Sequence, residues 1–475
     1  MTAPVSPAIA TLPPVDVLVL GAGLAGLRAA WAALSARPGA TVAVAMPGPG
    51  PSGASFYNAN GRLGIHAPDG AAEAEAFCRE AAAVAGPGML DEGLVAILAA
   101  EALARRRELE ALGVAFERGP DGALRLFGSC FSPDSRRAAI VTDLPGLGRA
   151  MGDRVTASGG LWLPRRTAVG LVREPDGGAV RGALLEDASG RLFAQPAGAV
   201  VAAMGGPAPL FARHQGAAAG VGFGHGLLGA AGAVMANTAF LQWMWARLAD
   251  RRFWPVWELL DGRARVAASL PEAVARLAAG RASHCPLGHG LADAALDRWL
   301  LDTAAPDGTV VVDRHGEATA VALFAHAANG GARIDGRGRT NVPGLWAVGE
   351  CAAGMHGANR LGGAMVAACL VFGARAGETA AHEACRPGRA AWRRALGAAL
   401  AGFARDAIEE REVTDWLART LQGKALPRQG FDAAALGGEL RRRRARTRDA
   451  VALAKLGAAA LIGAPSGKDF PSVGR

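Results

Sequence analysis

A glycine turn near the N-terminus separates a short apolar strand from a helix. Residues 17–26 read Val-Leu-Val-Leu-Gly-Ala-Gly-Leu-Ala-Gly, and the apolar pattern predicts a strand before the turn, a helix after it and a second strand over residues 41–45. Gly21, Gly23 and Gly26 allow the tight turn, the close backbone approach and the close helix–strand packing that a pyrophosphate at a helix N-terminus requires. This segment therefore predicts a βαβ unit that binds a dinucleotide.

The second strand of this unit lacks the acidic residue that dinucleotide sites usually carry. An Asp or Glu at that point commonly binds the ribose, whereas this strand runs into Pro47 without a carboxylate. The pattern therefore disfavours a standard NAD site. Far downstream, Glu350 directly follows a predicted strand over residues 345–348 and Gly349, and we expect Glu350 to bind a ribose or ribityl hydroxyl instead.

The composition is that of a large α/β protein. The chain has 475 residues, of which 51% are hydrophobic, so it can bury a core divided between two lobes. The net charge is +9, and arginine supplies nearly all of the positive charge. The densest basic run, residues 441–448, is either a solvated helix face or a contact for RNA, an acidic lipid or an acidic protein. We do not expect nucleic acid to be the main partner.

The cysteines and the hydropathy pattern indicate where in the cell the protein is located. The six cysteines show no Cys-x-x-Cys pair and no zinc-type spacing, so we expect reduced thiols and no metal site. Residues 1–14 lack the basic and apolar regions of a signal peptide, and no charge-free apolar run of about 18 residues occurs outside stretches rich in Gly and Ala. We therefore expect a cytoplasmic protein without a membrane span.

Several further motifs resemble those of one family. They are Ser55–Gly61, Ala203–Gly206, Gly222–Gly224 and the block from His326 to Gly373. The most specific parts of that block read Val-Pro-Gly-Leu-Trp-Ala-Val-Gly-Glu over residues 342–350 and His-Gly-Ala-Asn-Arg-Leu-Gly over residues 356–362. With the glycine turn, these motifs resemble the flavoprotein family of succinate dehydrogenase, fumarate reductase and L-aspartate oxidase, over most of residues 15–240 and 326–380.

The resemblance implies FAD as the cofactor. Backbone around Met365 and Val366 would approach the isoalloxazine ring, and the positive end of the helix that begins there would stabilise reduced flavin. Some members tether FAD through a histidine where this chain has Ser55, and His66 is out of register, so we expect non-covalent FAD. The implied cofactor-binding residues are Gly21, Ala22, Gly23, Leu24, Ala25, Gly26, Ser55, Gly61, Ala168, Gly205, Gly349, Glu350, Asn359, Arg360, Met365 and Val366.

The resemblance also implies a division of the chain. The expected fold is α/β, with a Rossmann-like FAD-binding domain, an inserted α+β capping domain and a helical C-terminal tail. The FAD-binding domain would comprise residues 1–241 and 326–385, the capping domain residues 242–325, and the tail residues 386–475.

The candidate catalytic residues match the family only in part. Arg360 suits a substrate carboxylate, and His326 is either a substrate ligand or a core histidine. The family's Gln-Phe-His-Pro-type segment becomes Gln-Trp-Met-Trp over residues 242–245, while Phe223 and Met365 replace an acidic residue and a serine. The capping segment also lacks the family's proton-donating arginine motif, which leaves a dicarboxylate substrate in doubt. Possible replacements for that donor are Arg247, Arg251, Arg252, His284 and His289.

Two groups of side chains have alternative interpretations. Tryptophans of the capping segment would either stack on a flat or apolar substrate or form a hydrophobic lid or subunit interface. A pair of arginines would either hold an anionic substrate near the flavin or form a surface pair. These residues are Trp243, Trp245, Trp254 and Trp257, and Arg136 and Arg137.

The expected function is that of an FAD-dependent oxidoreductase. It would transfer a hydride between flavin N5 and a small organic substrate, either a carboxylate or one that carries an aromatic or flat group. One alternative is a flavoprotein subunit that docks a redox partner protein, and another is a flavoprotein that modifies nucleic acid. No Fe–S or haem motif is present, so electrons would leave through oxygen, a diffusible carrier or a partner subunit.

Overall fold

The described part of the chain, residues 9–424 and 433–462 of a computed structural model, contains one large mixed sheet and three small ones. Predictions for residues 1–8, 425–432 and 463–475, including parts of the helical tail, lie outside the described residues. The elements up to residue 236 are β1 (Ala10–Thr11), β2 (Val15–Leu20), α1 (Leu24–Ala36), β3 (Val42–Met46), β4 (Leu63–His66), α2 (Ala71–Ala85), α3 (Glu92–Ala111), β5 (Leu126–Phe127), β6 (Ala138–Val141), α4 (Leu144–Ala157), β7 (Leu161–Pro164), β8 (Thr167–Arg173), β9 (Val180–Glu186), β10 (Leu192–Ala202), α5 (Gly224–Ala230) and β11 (Met235–Ala236).

The remaining elements form a second sheet, return to the first and end in helices. They are β12 (Leu241–Arg247), α6 (Glu272–Leu277), α7 (Ala294–Asp302), β13 (Val310–Arg314), β14 (Glu317–Ala328), β15 (Gly331–Arg333), β16 (Leu345–Ala347), β17 (Ala352–Ala353), α8 (Ala364–Glu383), α9 (Arg389–Leu400), α10 (Ala407–Lys424), α11 (Ala433–Arg444) and α12 (Ala450–Ile462). This order agrees with the expected α/β fold, in which a capping segment interrupts the first domain and helices follow it.

The large sheet is built around the predicted βαβ unit. Its strand order is β7-β3-β2-β10-β9-β8, and β16 pairs with the second half of β10. Strands β3, β2 and β10 are parallel, and every residue of β2 is buried, as expected for a strand covered on both faces. The sequence-based prediction of strand, glycine turn, helix and strand is therefore confirmed.

Local contacts explain two further elements. Strand β10 is long because its second half pairs with β2 and β16, whereas its first half pairs antiparallel with β9. Helix α5 ends at Ala230, since the chain turns at Gly232, with φ +87°, and enters β11.

Helices α1 and α8 pack unusually close together, next to the glycine turn. A Cβ at Gly377 would lie 2.0 Å from Ala29 O, and one at Gly373 would lie 2.9 Å from Ala25 O, so both contacts require glycine. Helix α8 is long and apolar enough to cross a membrane, but 78% of its apolar window is buried inside the protein. That burial is typical of a core helix, and the absence of a membrane span stays a prediction.

The capping segment has its own core beneath a three-stranded sheet of order β12-β14-β13. Trp243, Trp245 and Trp254 are buried in that core, and Trp257 is partly buried against Phe253. These tryptophans therefore fill the capping segment, and the substrate-stacking interpretation receives no support from their positions.

The C-terminal helices cover the capping segment and the first domain together. Leu417 of α10 and Leu456 of α12 are fully buried in the same core as the tryptophans. Helix α12 also packs on α5, where a Cβ at Gly226 would lie 1.9 Å from Ala454 O. The basic run begins on α11, where Arg443 lies over the ring of Trp416 at 4.7 Å.

Candidate active site

A cavity of about 1060 Å³, counted with its open mouth, lies at the carboxyl ends of β2, β10 and β16. Ligands of open α/β sheets bind at this edge. Many of the predicted site residues line this cavity. They are Gly21, Ala22, Gly23, Leu24, Ala25, Ser55, Ala168, Gly205, His326, Gly349 and Glu350.

The glycine turn forms one wall of the cavity, and it has no room for a side chain at Gly21 or Gly26. Gly21 has φ +115°, and a Cβ there would lie 2.3 Å from Ala203 O. A Cβ at Gly26 would lie 1.9 Å from Gly21 O, so this residue packs the helix against the turn instead of lining the cavity. The first turn of α1 carries no acidic residue, which leaves its positive end available to a phosphate.

Glu350 lies on another wall, directly after β16. Its Oε2 accepts a 3.0 Å hydrogen bond from Ala328 N, and a Cβ at Gly206 would lie 2.2 Å from the same oxygen. Burial raises the pKa of Glu350, while the Ala328 hydrogen bond and the charge of Arg360 oppose that rise. The carboxyl group is therefore held at the cavity wall, where a hydroxyl of the cofactor could reach it.

The cavity fits an FAD bound without a covalent tether. Its glycine turn, helix N-terminus and Glu350 supply what a pyrophosphate and a polyhydroxyl chain require. Ser55 lines the cavity, but a serine hydroxyl is not the histidine of the tethered family members. His66 is fully buried beside Gly362 O and Ser129 Oγ, each 3.1 Å from Nδ1, and does not line the cavity.

Arg360 is a buried cation that is not among the residues lining the cavity. Its Nε donates to Asn329 Oδ1 at 3.0 Å and its Nη2 donates to Gln242 Oε1 at 2.6 Å. Among the described residues, no carboxylate oxygen lies within 4 Å of this guanidinium, and Nη1 has no hydrogen bond there. Burial lowers the pKa of Arg360, and the charge of Glu350 partly offsets this effect. The guanidinium thus has neutral partners and one free donor.

Two histidines adjoin Arg360: His356 is buried, and His326 is partly buried at the cavity wall. Burial, followed by the charge of Arg360, lowers the pKa of His326 to about 3 and that of His356 to about 3, so both are neutral at ordinary pH. His326 Nδ1 and His356 Nε2 are buried and have no hydrogen-bond partner in the described part of the chain. Buried polar atoms without a partner are rare in native proteins and point to a ligand. The sequence indicated His356 only as part of the motif over residues 356–362 and not as a site residue. Its position four residues before Arg360 was the available signal.

The other predicted cofactor residues lie outside the cavity wall. Asn359 Nδ2 donates to Val84 O and His289 O at 2.9 Å each, so it joins the capping segment to the first domain. Met365 and Val366 are buried in the first turn of α8, whose start at Ala364 agrees with the predicted helix. Gly61 is exposed.

None of the proposed replacement donors lines the cavity. Arg247 and Arg252 form ion pairs with Asp250, and Arg251 is exposed. The two capping histidines are engaged in hydrogen bonds instead: His284 Nε2 with Asp293 Oδ2 at 2.8 Å, and His289 Nε2 with Leu241 O at 2.6 Å.

Neither member of the predicted arginine pair faces the cavity, whereas two unpredicted segments do. Arg137 is buried and pairs with Glu80, and Arg136 is exposed. Sequence reasoning missed the segments 166–167 and 216–221, which line the cavity. The second of these is rich in Gly and Ala, a composition typical of backbone that approaches a ligand closely, but too common in this chain to single the segment out.

Comparison with known proteins defines the class. The family model described as FAD binding domain matches residues 16–265 and 275–366, which is most of the chain. L-aspartate oxidase from Caulobacter vibrioides is 31% identical over 405 residues, covering 78% of this chain and 77% of that protein. The chain therefore belongs to the FAD-dependent oxidoreductases of the fumarate reductase and L-aspartate oxidase family, and FAD is its cofactor.

Two further similarities agree with this assignment. A subunit of the fumarate reductase (CoM/CoB) from Methanothermobacter marburgensis is 51% identical over 80 residues, which are 17% of this chain and 15% of that protein. The structure of Mycobacterium smegmatis Sdh1 in complex with UQ1 has a TM-score of 0.72 at 23% identity, covering 96% of this chain and 86% of that chain. The latter likeness shows the fold alone. The family resemblance, the fold class and the oxidoreductase activity expected from the sequence are thereby confirmed.

Proposed function

We propose that the substrate is a carboxylate, that its carboxylate group binds Arg360, and that a carbon atom of this substrate exchanges a hydride with the cofactor. FAD, when bound, supplies the hydride-accepting and hydride-donating N5 atom. The observation that carries the proposal is the buried guanidinium of Arg360, which has two amide oxygens as partners and no carboxylate among the described residues.

A buried guanidinium that no carboxylate pairs directly is costly, and a bound carboxylate lowers that cost. Leaving one ion of a buried pair unpaired typically costs about 3–5 kcal/mol, so an anionic ligand gains much of this free energy when it binds. The planar guanidinium matches a carboxylate bidentately. Asn329 and Gln242 fix the plane of the guanidinium without neutralising it, and this leaves its charge available to the substrate.

His326 and His356 are proposed to complete the substrate site. Both are neutral, and each has one buried ring nitrogen without a partner in the described residues, so each can donate to or accept from a substrate oxygen or nitrogen. His326 also lines the cavity and feels the charge of Arg360, which supports a role for it beside the substrate. These residues orient the substrate, and they exclude water from the reacting carbon by being buried.

The route of the electrons is also a proposal. The similar protein from Methanothermobacter marburgensis is, by its name, one subunit of a larger fumarate reductase, which supports a redox partner protein for this chain.

A cytoplasmic location is proposed because all six cysteines are free thiols, as is usual in a reducing compartment.

Anaerobic reduction of the purified holoenzyme tests the carboxylate proposal. Mono- and dicarboxylic acids, with and without an α-amino group, are mixed with the yellow protein, and loss of the visible flavin absorbance is followed. We expect bleaching by one or more acids and none by the matching carboxamides. A carboxamide that bleaches the flavin as fast as its acid would refute the role of Arg360.

Single-residue variants test whether Arg360 itself binds the substrate carboxylate. Arg360→Gln is expected to lower the bleaching rate by a factor on the order of 100, because one charge-assisted contact of about 3 kcal/mol is lost. Arg360→Lys keeps the charge and is expected to recover part of the rate. Arg247→Gln is the matched control, because this capping arginine pairs with Asp250 and does not line the cavity. Flavin content of each variant shows whether the cofactor is retained.

A further inference from the structure

Two cysteines meet where the capping segment contacts the FAD-binding domain. Cys130 lies in the loop before β6, and Cys285 lies in the capping segment before α7. The backbone N–H of Cys285 donates to Cys130 Sγ at 3.1 Å. Both residues are free and partly exposed. Two cysteines 155 positions apart thus meet across two parts of the protein, where the backbone N–H of one contacts the sulfur of the other.

The Cys130 loop is fixed on both sides. Gly362 N, two residues after Arg360, donates to Cys130 O at 2.9 Å, and Phe131 N donates to Ser283 O at 3.1 Å. The ring of Phe131 stacks on the ring of His284, with centroids 4.0 Å apart and an interplanar angle of 16°. The loop therefore ties the segment that carries Arg360 to the capping segment.

The Cys285 segment is held by a buried cation. Arg281 is fully buried and binds Asp297 through two hydrogen bonds, of 2.8 and 3.0 Å. The same guanidinium donates to His284 O, and to Cys285 O at 3.0 Å. A guanidinium bound to two successive carbonyls fixes the backbone of Cys285, so the N–H that points at Cys130 Sγ is preorganised.

The surroundings make the two thiols unequal. The Cys285 thiol and N–H, together with the charges of His284 and Arg281, lower the pKa of Cys130. The hydrogen bond to Cys130, with burial second, raises the pKa of Cys285. Cys130, whose sulfur accepts the backbone N–H, is therefore the more readily ionised thiol of the pair. A thiolate, partly accessible and next to a second thiol, is the arrangement of redox-sensing cysteines.

We propose that Cys130 and Cys285 are a peroxide-reactive pair that forms a reversible disulfide between the FAD-binding domain and the capping segment. The Cys130 thiolate attacks hydrogen peroxide; an S–O bond forms, the O–O bond breaks, and the departing hydroxide takes up a proton as water. Cys285 sulfur then attacks the Cys130 sulfenic acid; the S–S bond forms, and the hydroxyl leaves as water with the Cys285 proton. Two thiols and one peroxide give one disulfide and two waters.

The disulfide would hold the capping segment against the substrate site. Cys130 O binds the backbone two residues beyond Arg360, so a covalent link to Cys285 fixes the capping segment beside the Arg360 loop. Reaction with a small dithiol restores both thiols by thiol–disulfide exchange. The proposal depends only on the thiol pair, and it stands whether or not the substrate is a carboxylate.

Mass spectrometry of the peroxide-treated holoenzyme tests the proposal. The fully reduced FAD-bound protein is treated with equimolar hydrogen peroxide, and the remaining thiols are blocked. We expect the protein sampled before blocking to have an intact mass lower by about 2 Da, the loss of two hydrogens, and the blocked protein to give a non-reducing digest in which the peptides of Cys130 and Cys285 are joined. A dithiol should restore the original mass. Peroxide that leaves both thiols free, or that oxidises Cys130 to sulfinic acid without the joined peptide, would overturn the proposal.

Single-residue variants distinguish the proposed role of Cys130 from that of Cys285. Cys285→Ser should stop the reaction at the Cys130 sulfenic acid, which a cyclic 1,3-diketone probe labels, whereas Cys130→Ser should give neither label nor disulfide. Cys385→Ser is the matched control, because Cys385 is exposed and remote from the pair; it should form the disulfide like the unaltered protein. If a variant does not fold, the proposal is tested on the unaltered protein by measuring how fast each cysteine reacts with iodoacetamide at pH 7. Cys130 must react faster than exposed Cys385, and a slower reaction would contradict the proposal.

Discussion

Arg360 Nη2 donates a 2.6 Å hydrogen bond to Gln242 Oε1, and this bond joins the loop before α8 to the first strand of the capping segment. The register of β12 against β14 shifts between Gln242 and Trp243. Such a bulge re-aims a side chain, and bulges are frequent next to active sites. The buried amide thus gives Arg360 a neutral acceptor at the boundary between the two parts of the protein.

Replacing that amide with a carboxylate should inactivate the proposed anion site. Gln242→Glu places a negative charge beside Arg360 and neutralises it, so we expect carboxylate ligands to bind at least tenfold more weakly, a loss of about 1.4 kcal/mol or more. Titration of the flavin spectrum with substrate-like carboxylates measures the dissociation constant. Gln215→Glu changes a buried glutamine bonded elsewhere, to Arg251 O, and should leave this constant unchanged. Equal affinities in Gln242→Glu and the unaltered protein would contradict the proposed binding mode.

Alanine at Gly21 should abolish cofactor binding. Its Cβ would lie 2.3 Å from Ala203 O, in addition to the strain of a φ of +115°. We expect the purified variant to lack the yellow colour and to unfold at a lower temperature. Gly39→Ala is the control: Gly39 has φ +84° but nothing within 4 Å of a Cβ, so its cost is the backbone strain alone, about 1–2 kcal/mol. Equal flavin content in the two variants would show that the steric argument is wrong.

The parts of the fold that could be predicted from the sequence depend on short-range chemistry. The strand before Gly21 and the helix after it follow from an apolar period and a glycine turn within about ten residues. Glu350 was found in the same way, as a carboxylate directly after a strand, and the structure places it at the cavity. Such signals need no knowledge of which distant segments pack together.

The parts that could not be predicted depend on contacts between distant residues. Arg360 is bonded to Asn329 and Gln242, which are 31 and 118 positions away, and no local pattern indicates that these amides meet it. The capping tryptophans show the same difficulty: their spacing is compatible with a pocket or a core, and only the three-dimensional packing places Trp245 at 0% exposure. Sequence reasoning could therefore name Arg360 but could not describe its neutral surroundings.

Stability should fall between neutral and acidic pH because of His356, which is buried, and His326, which is partly buried. The pKa of His326 and that of His356 are each lowered to about 3, against about 6.5 in an unfolded chain, so the unfolded state binds more protons in this window. The stabilisation is present above pH 6.5 and is lost as the pH falls toward 3. At pH 5 each histidine should cost about 2 kcal/mol relative to pH 7.5.

A variant of His356 tests whether this histidine causes the loss of stability at acidic pH. His356→Asn should reduce the loss of stability between pH 7.5 and pH 5 by about 2 kcal/mol in urea unfolding, because an amide does not titrate there. His315→Asn, at an exposed turn position with φ +55°, should leave the pH dependence as it is. The assignment fails if both variants retain the full pH dependence.

The buried ion pair of Arg281 and Asp297 should be essential to the capping segment. Both side chains are 0% exposed, and Asp297 Oδ1 also accepts a 2.9 Å hydrogen bond from Trp245 Nε1. Asp297→Asn keeps the shape and the acceptor but leaves the guanidinium unpaired, and we expect a loss of about 3–5 kcal/mol in the free energy of unfolding. Asp302→Asn, on the exposed side of the same helix, should change it by less than about 0.5 kcal/mol. Urea unfolding followed by tryptophan fluorescence measures both, and similar losses in the two variants would show that the ion pair has no special role.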